Sequence, residues 1–254
     1  MKTTTSNTRD SESNIVLQIE NLYKAFGENK VLNGFSLDLK NGENLVLMGR
    51  SGSGKSVLIK CLVGLLKPDK GKVEILGNDI STLSQSDMDE LRTSIGFLFQ
   101  GSALYDSMTV RENLEFPLRR HTRKLSSKEM EALVFEALES VGLKHTVDLM
   151  PAELSGGMQR RIALARALIL KPKIIIYDEP TTGLDPITSK EIIELMNSVQ
   201  EKYKTSSLII THDVDCARVV SNRIILLLDG VNYAEGTFNE LSNSNDTKIK
   251  AFFK

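Results

Sequence analysis

Cysteine is scarce, with two residues in 254, Cys61 and Cys216. Each falls within an apolar helical pattern and neither has company at metal-ligand spacing, so both read as reduced core residues. An excess of charge of one sign is also missing. Lysine and arginine number 32 against 33 aspartates and glutamates, a net charge of -1, and that balance argues against a nucleic-acid partner. No apolar run approaches the ~20 residues needed to cross a bilayer. Ile224–Leu228 is among the longest, so membrane contact is expected only through a partner. The opening MKTTTSNTRDSESN is polar and lacks an apolar h-region. Residues 1–14 therefore read as a disordered tail rather than a secretory signal. No internal repeat is visible. Together these features point to a reducing cytoplasm.

Two glycine-rich stretches are present, and each stands where a loop would open a helix. GRSGSGKS occupies Gly49–Ser56 and LSGGM occupies Leu154–Met158. A helix N-terminus offers free backbone N–H groups and the positive end of a dipole, so each stretch can cradle an anion. Two cradles suit a triphosphate held from both ends. The first fits the phosphate-loop pattern at every required position. Gly49 and Gly54 frame Arg50, Ser51, Gly52 and Ser53, and Lys55 and Ser56 follow. Leu45–Met48 reads as a buried parallel strand and Val57–Val63 as a buried helix, the flanks the loop requires. Glycines admit phosphate oxygens close to the backbone. Lys55 brings a mobile positive charge to the β- and γ-phosphates, and the Ser56 hydroxyl can ligate Mg²⁺. Val57 stands where a dinucleotide fold needs its third glycine.

Two further stretches carry chemistry. After Lys171-Pro172 stops a helix, Ile174–Tyr177 makes a β-branched buried strand that ends in Asp178 and Glu179. Asp178 can hold Mg²⁺, directly or through water, while Glu179 can accept a proton from, or orient, an attacking water. Leu208–Ile210 is another apolar strand, running into Thr211, His212 and Asp213. Open α/β sheets put their ligand crevice at such strand ends. An imidazole there could bond a γ-phosphate oxygen or position water.

The rest of the chain organises around these pieces. Ile15–Glu20, Phe35–Leu39 and Gly71–Gly77 read as strands of an antiparallel edge sheet, and Lys40–Glu43 turns the second into the phosphate-loop strand. Residues from about 100 to 165 become helical. Ser126–Glu129 is a capping-box pattern, and Met130, Leu133, Val134, Ala137, Leu138 and Val141 share one helix face. From Lys173 strands and helices alternate again. Arg119, Arg120, His121, Arg123 and Lys124 form a basic cluster that reads as a solvated loop, the alternative being attraction to anionic headgroups.

In this order the motifs resemble those of the nucleotide-binding subunit of an ATP-binding cassette (ABC) transporter, from about Ile15 to the C-terminus. The resemblance implies an α/β P-loop NTPase fold with an antiparallel β edge subdomain and a helical signature subdomain. It makes GRSGSGKS the Walker A loop, LSGGM the signature loop and Asp178-Glu179 the Walker B acid with the catalytic carboxylate. Phe26 matches the aromatic that stacks on adenine, and Gln100 in FLFQ the glutamine that senses Mg²⁺ and the membrane partner. Gly183–Pro186, with Asp185, matches the D-loop, and His212 the switch histidine. The implied ligands are ATP and Mg²⁺, the metal held by Ser56, Gln100 and Asp178. Ser155, Gly156 and Gly157 would meet the phosphate loop of a second copy, giving a head-to-tail dimer around two ATPs. Two residues depart from the family pattern: Met158 replaces the usual glutamine and Val57 the usual threonine. The wording SALYDSMTVRENLEFPLRRHT and LMPAELSGGM is similar to ATPases of bacterial MCE-type lipid transporters. That implies a multi-span permease and an MCE-domain protein as partners, phospholipid as cargo and a place on the cytoplasmic face of the inner membrane. A small-solute importer, such as one for amino acids, shares the catalytic motifs and is the alternative. A soluble, non-transport ABC ATPase fits less well, for want of a second cassette or an inserted coiled coil.

Overall fold

Alternation of apolar and polar residues builds the first sheet. The structure, a computed structural model, describes residues 14–122 and 125–253. β1 (Ile15–Phe26) and β2 (Asn29–Lys40) form an antiparallel hairpin that turns at Gly27, where φ is 61°. β4 (Lys70–Ile75) and the short β5 (Asn78–Asp79) complete the sheet, in the order β2-β1-β4-β5. Both hairpin strands run further than alternation predicts. β1 continues past Glu20 because Asn21 takes a left-handed φ of 47° and the register shifts between Ile19 and Leu22. That bulge returns Leu22 to the interior, so the strand survives a break in its pattern. The third strand ends earlier than expected, because Leu76 and Gly77 have φ of 51° and 79° and make a turn.

The second sheet has the order β10-β9-β3-β8-β7-β6. β3 (Asn44–Gly49), β6 (Ile95–Leu98), β7 (Ile174–Asp178), β8 (Ser206–Thr211) and β9 (Arg223–Leu228) are parallel, and β10 (Val231–Gly236) closes one edge antiparallel to β9. Every residue of β3 and β8 is buried, as expected of a parallel sheet covered on both faces. The two faces feed different clusters. Leu45, Leu47, Ile174, Ile176, Leu208 and Ile210 pack with β1, β2 and α1 (Lys55–Leu62). Val46, Met48, Ile175, Tyr177 and Ile209 face α5 (Gly156–Leu168), α6 (Pro186–Tyr203) and α7 (Val214–Val220). Cys61 and Cys216 are buried, one in each cluster.

α2 (Gln85–Thr93) packs beside the first cluster through Met88 and Leu91. A third cluster belongs to α3 (Val110–His121), α4 (Ser127–Ser140) and α5. α3 and α4 each begin with a complete capping box, Thr109 with Glu112 and Ser126 with Glu129. Val134, Ala137, Leu138 and Val141 form the buried stripe of α4, with Met130 and Leu133 at its rim. Arg119, Arg120 and His121 are the last turn of α3 rather than a loop, and Arg119 pairs with Glu115 one turn back at 2.6 Å. Cations suit a helix C-terminus, where carbonyls collect negative charge. Arg123, Lys124 and residues 1–13 of the polar tail lie outside the described residues. Near the other end, α8 (Phe238–Ser242) and α9 (Thr247–Lys250) lean on the second cluster, with Phe253 edge-on to Phe238 at 5.4 Å between ring centroids. Among the described residues no helix is long and apolar enough to cross a membrane.

Candidate functional site

The carboxyl ends of β3, β7 and β8 lie side by side, and three expected motifs leave the sheet there. From Gly49 the chain loops back on itself and enters α1 through Gly54, whose φ of 105° closes the turn without a side-chain cap. The first amides of α1 thus stay free for an anion. The Ser53 hydroxyl is buried in this loop without a hydrogen-bond partner, a polar atom waiting for an acceptor.

Lys55 points back across the loop. Its ammonium donates to the carbonyls of Gly49 at 2.6 Å and Arg50 at 3.2 Å, and stands 3.6 Å from Glu179 Oε1. Both side chains are about nine-tenths buried, at 11% and 9% exposure. Glu179 has a left-handed φ of 49° and is held by its amide donating to the Ile210 carbonyl at 2.8 Å. Its second oxygen faces His212 Nδ1 at 2.8 Å and accepts from the Thr182 hydroxyl at 3.2 Å and the Thr211 hydroxyl at 3.4 Å. One buried carboxylate thus joins the phosphate-loop lysine to an imidazole that is itself 63% exposed. Strain of this kind concentrates where geometry serves chemistry.

These groups open onto a cavity of about 650 Å³. Phe26 and Val31 wall one part of it; Arg50, Ser51, Gly52, Gly54, Lys55, Ser56 and Val57 form its floor; Gln100, Asp178, Glu179 and His212 line the rest. Phe26 is half exposed, as an apolar face for a planar ring should be. The Arg50 guanidinium lies 6.0 Å from the Phe252 ring, which brings the C-terminal segment to the phosphate loop. Burial, then the charge of Glu179, push the Asp178 carboxyl above its ordinary range, while Lys55 and Arg160 pull the other way. Hydroxyl, amide and carboxylate oxygens are the donors a hard divalent cation takes, and the cavity lining supplies all three. Ser56, Gln100 and Asp178 are thus a fitting Mg²⁺ donor set.

Ser155, Gly156, Gly157 and Asp185 are not part of this cavity. They gather elsewhere. Ser155 caps α5 by accepting from the Met158 amide at 3.2 Å, and no acid occupies the helix's first turn. A Cβ on Gly157 would stand 2.5 Å from Thr188 Cγ2, so the glycine allows α5 to start flush against α6. Asp185 caps α6, accepting from the amides of Ile187 and Thr188 at 3.1 Å and from the Thr188 hydroxyl. Met158 packs at the rim of the third cluster. Neighbouring Gln159 donates to the Pro151 carbonyl at 2.9 Å.

Sequence reasoning missed Arg160. It is 4% exposed and donates to the carbonyls of Phe99 at 2.7 Å and Thr182 at 3.2 Å. The available signal was its place between Gly156 and Leu164, on the helix face turned toward the sheet. It also missed Thr182 and Thr211, which orient Glu179.

The family model described as "ABC transporter" matches residues 32–182. The probable ribonucleotide transport ATP-binding protein mkl of Mycobacterium leprae is 39% identical over 94% of this chain and 68% of its own length. The intermembrane phospholipid transport system ATP-binding protein MlaF of Haemophilus influenzae is 37% identical, over 94% of this chain and 90% of its own length. Among solved structures, a dimeric post-hydrolysis state of the ATP-binding cassette MJ0796 bound to ADP and Pi superposes with a TM-score of 0.79 at 34% identity. It covers 87% of this chain and 98% of that one.

Proposed function

From the premise that this chain belongs to the ABC transporter family, as an ATP-binding and ATP-hydrolysing subunit, we propose how its residues divide that work. The observation that carries the reading is Glu179, buried between Lys55 and His212 at the mouth of an open phosphate cradle. Phe26 stacks the adenine. The amides of Gly49–Ser56 and the Lys55 ammonium hold the terminal phosphates, Lys55 exchanging two backbone carbonyls for phosphate oxygens. Glu179 orients the attacking water and accepts its proton, and His212 bonds the γ-phosphate. Ser56, Gln100 and Asp178 hold Mg²⁺, which neutralises phosphate charge when bound.

The loop at Ser155–Gly157 acts on the nucleotide of a second copy. What supports this is its separation from its own cavity, its free helix amides, and the dimeric state named for MJ0796. ATP then forms part of the dimer interface, so nucleotide binding and dimerisation are linked.

The permease docks beside Gln100. An apolar groove of about 490 Å³ lies there, lined by Ile59, Val63, Leu65, Ile95, Phe97 and Phe99. Leu65 is 71% and Phe99 46% exposed, and the exposed rings of Tyr105 and Phe116 pair at a tilt, 4.9 Å between centroids. Exposed apolar clusters of this kind mark protein contacts. The protein thereby sits peripherally on the cytoplasmic face of its membrane. For cargo the two relatives' names differ, phospholipid for MlaF and ribonucleotide for mkl. The phospholipid reading is favoured because the match spans 90% of MlaF but 68% of mkl, and because the wording around LSGGM points the same way. Affinity purification of the tagged chain from its membranes tests it. Recovery of a permease and an MCE-domain protein with phospholipid is expected; recovery of a solute-binding-protein system would overturn the cargo and leave the ATPase intact.

A further inference from the structure

Arg160 spends a buried positive charge on two backbone carbonyls. Among the described residues it makes no salt bridge, its charge reaching Asp178 only at longer range, and its Nε is buried without a partner. An apolar side chain would fill that space at lower cost, so packing does not account for an arginine. What a guanidinium adds is a planar fork of fixed angle. One arm holds Phe99, the residue before Gln100. The other holds the carbonyl of Thr182, whose hydroxyl bonds Glu179. The stem belongs to α5, five residues beyond Ser155. On the far side of Gln100 the same helix supplies Arg166, which donates to the carbonyls of Ala103 at 2.8 Å and Ser102 at 3.3 Å. Both of those residues are left-handed, with φ of 50° and 60°. Gln100 and Gly101 are therefore suspended between two arginine anchors on one helix.

We propose that Arg160 is a positioning residue that couples the two nucleotide sites of the dimer. It ties the loop that closes on the partner copy's nucleotide to the Gln100 and Glu179 segments that serve its own. The proposal rests on the trans-acting reading of Ser155–Gly157. When phosphate draws Ser155 and the start of α5 toward the other subunit, Arg160 carries that shift to Phe99 and Thr182 together. A lysine could hold one carbonyl at a time, and a methionine neither.

The test is the ATP dependence of hydrolysis by the full chain and its Arg160→Lys and Arg160→Met variants, with binding of a fluorescent ATP analogue measured alongside. Two coupled sites give the unaltered chain a Hill coefficient above one, up to a limit of about two. Both variants are expected to fall toward about one and to lose roughly tenfold in kcat, with analogue affinity within about threefold. A variant as cooperative as the parent overturns the proposal whatever its kcat. A parent with hyperbolic kinetics overturns the coupling, while the trans reading stands or falls separately on mixing Ser155→Arg with Lys55→Ala chains. Hydrogen exchange in the Glu179→Gln chain, with Arg160 intact, decides the matter if the variants fail to fold. Amides of residues 100–102, 182–184 and 156–158 should gain protection at one common ATP concentration; protection at separate concentrations would sink the idea.

Discussion

The chain has two glycine-rich helix starts, and the structure furnishes them unequally. Around Gly49–Ser56 stand a lysine, two acids, an imidazole and an exposed aromatic, all lining one cavity. Around Ser155–Gly157 stand backbone amides, a serine already engaged in capping, and the start of a neighbouring helix with its cap Asp185. Two anion cradles with the same local physics therefore differ in what surrounds them. On the proposed reading the first binds and cleaves, and the second holds. On the proposed trans reading the site is divided between two copies, and one chain alone leaves it incomplete.

The comparison breaks most completely at Lys55. Lys55→Ala should remove tight ATP binding and hydrolysis, because it deletes the ammonium that the phosphate loop aims at the terminal phosphates. Isothermal titration and phosphate release measure both, and undiminished turnover would refute the assignment of the loop. Glu179→Gln keeps the cradle and removes the acceptor, so ATP should bind while hydrolysis slows by roughly 10²–10⁴. Unspent ATP should then hold the chain as a dimer in size-exclusion chromatography with Mg²⁺. A nucleotide-bound monomer would contradict the divided site.

Ser155→Arg tests the poorer cradle. The variant should bind nucleotide in its own cavity yet fail to hydrolyse it, and mixing with Lys55→Ala chains should restore one competent composite site. Full activity of the Ser155→Arg protein alone would show that the loop does not close on nucleotide. A finer contrast uses alanine at one glycine of each loop. Gly157→Ala drives a Cβ to 2.5 Å from Thr188, overpacking of a kind that costs about 1–3 kcal/mol. Gly52→Ala meets nothing within 4 Å and pays only for its φ of 77°, on the order of 1 kcal/mol. Thermal melts should rank the two in that order.

The smallest effect lies away from both loops. Arg223 joins Glu43 at 2.8 Å, the Asp38 carbonyl at 2.6 Å and Glu235, beneath the start of β3. Burial alone would raise the Glu43 carboxyl, but the Arg223 guanidinium and the Lys40 amide hold it below its ordinary range. A depressed folded value means stability present above the unfolded pKa and lost as pH falls through the folded one. Glu43→Gln should therefore flatten the acid limb of the stability profile and leave nucleotide affinity unchanged. A parallel acid limb in both proteins would remove Glu43 from the account.

The contiguous parts of this arrangement were legible in the sequence. Phosphate loops and acids at strand ends are local patterns, so Lys55, Asp178, Glu179 and His212 could be named from the chain, and the structure gathers them in one cavity. The antiparallel edge and parallel core followed from alternating and continuous apolar runs. What stayed hidden needed three dimensions. The full length of β1 was masked by the bulge at Asn21, where alternation fails while pairing continues. Arg160 was not singled out, since nothing in QRR reveals that two carbonyls from distant segments converge on it. The hold on Glu179 by Lys55 was likewise invisible, because it joins strands neighbouring in the sheet through β8, not in the chain.

The position of β3 sets a timetable for the molecule's birth. The strand that carries the phosphate loop is flanked by β8 and β9, made from residues 206–228. The β1–β2 hairpin is local and can pair as soon as it leaves the ribosome, and so can the self-capped helices α3 and α4. The cradle cannot. Leu45–Met48 must wait, apolar and unpaired, while most of the polypeptide is synthesised, since pairings so distant in sequence are slow and come late. A nascent chain thus has no working nucleotide site to misfire, but it carries a sticky strand for that whole interval. Slowing translation before residue 206 should cost yield through aggregation more than slowing it after residue 228.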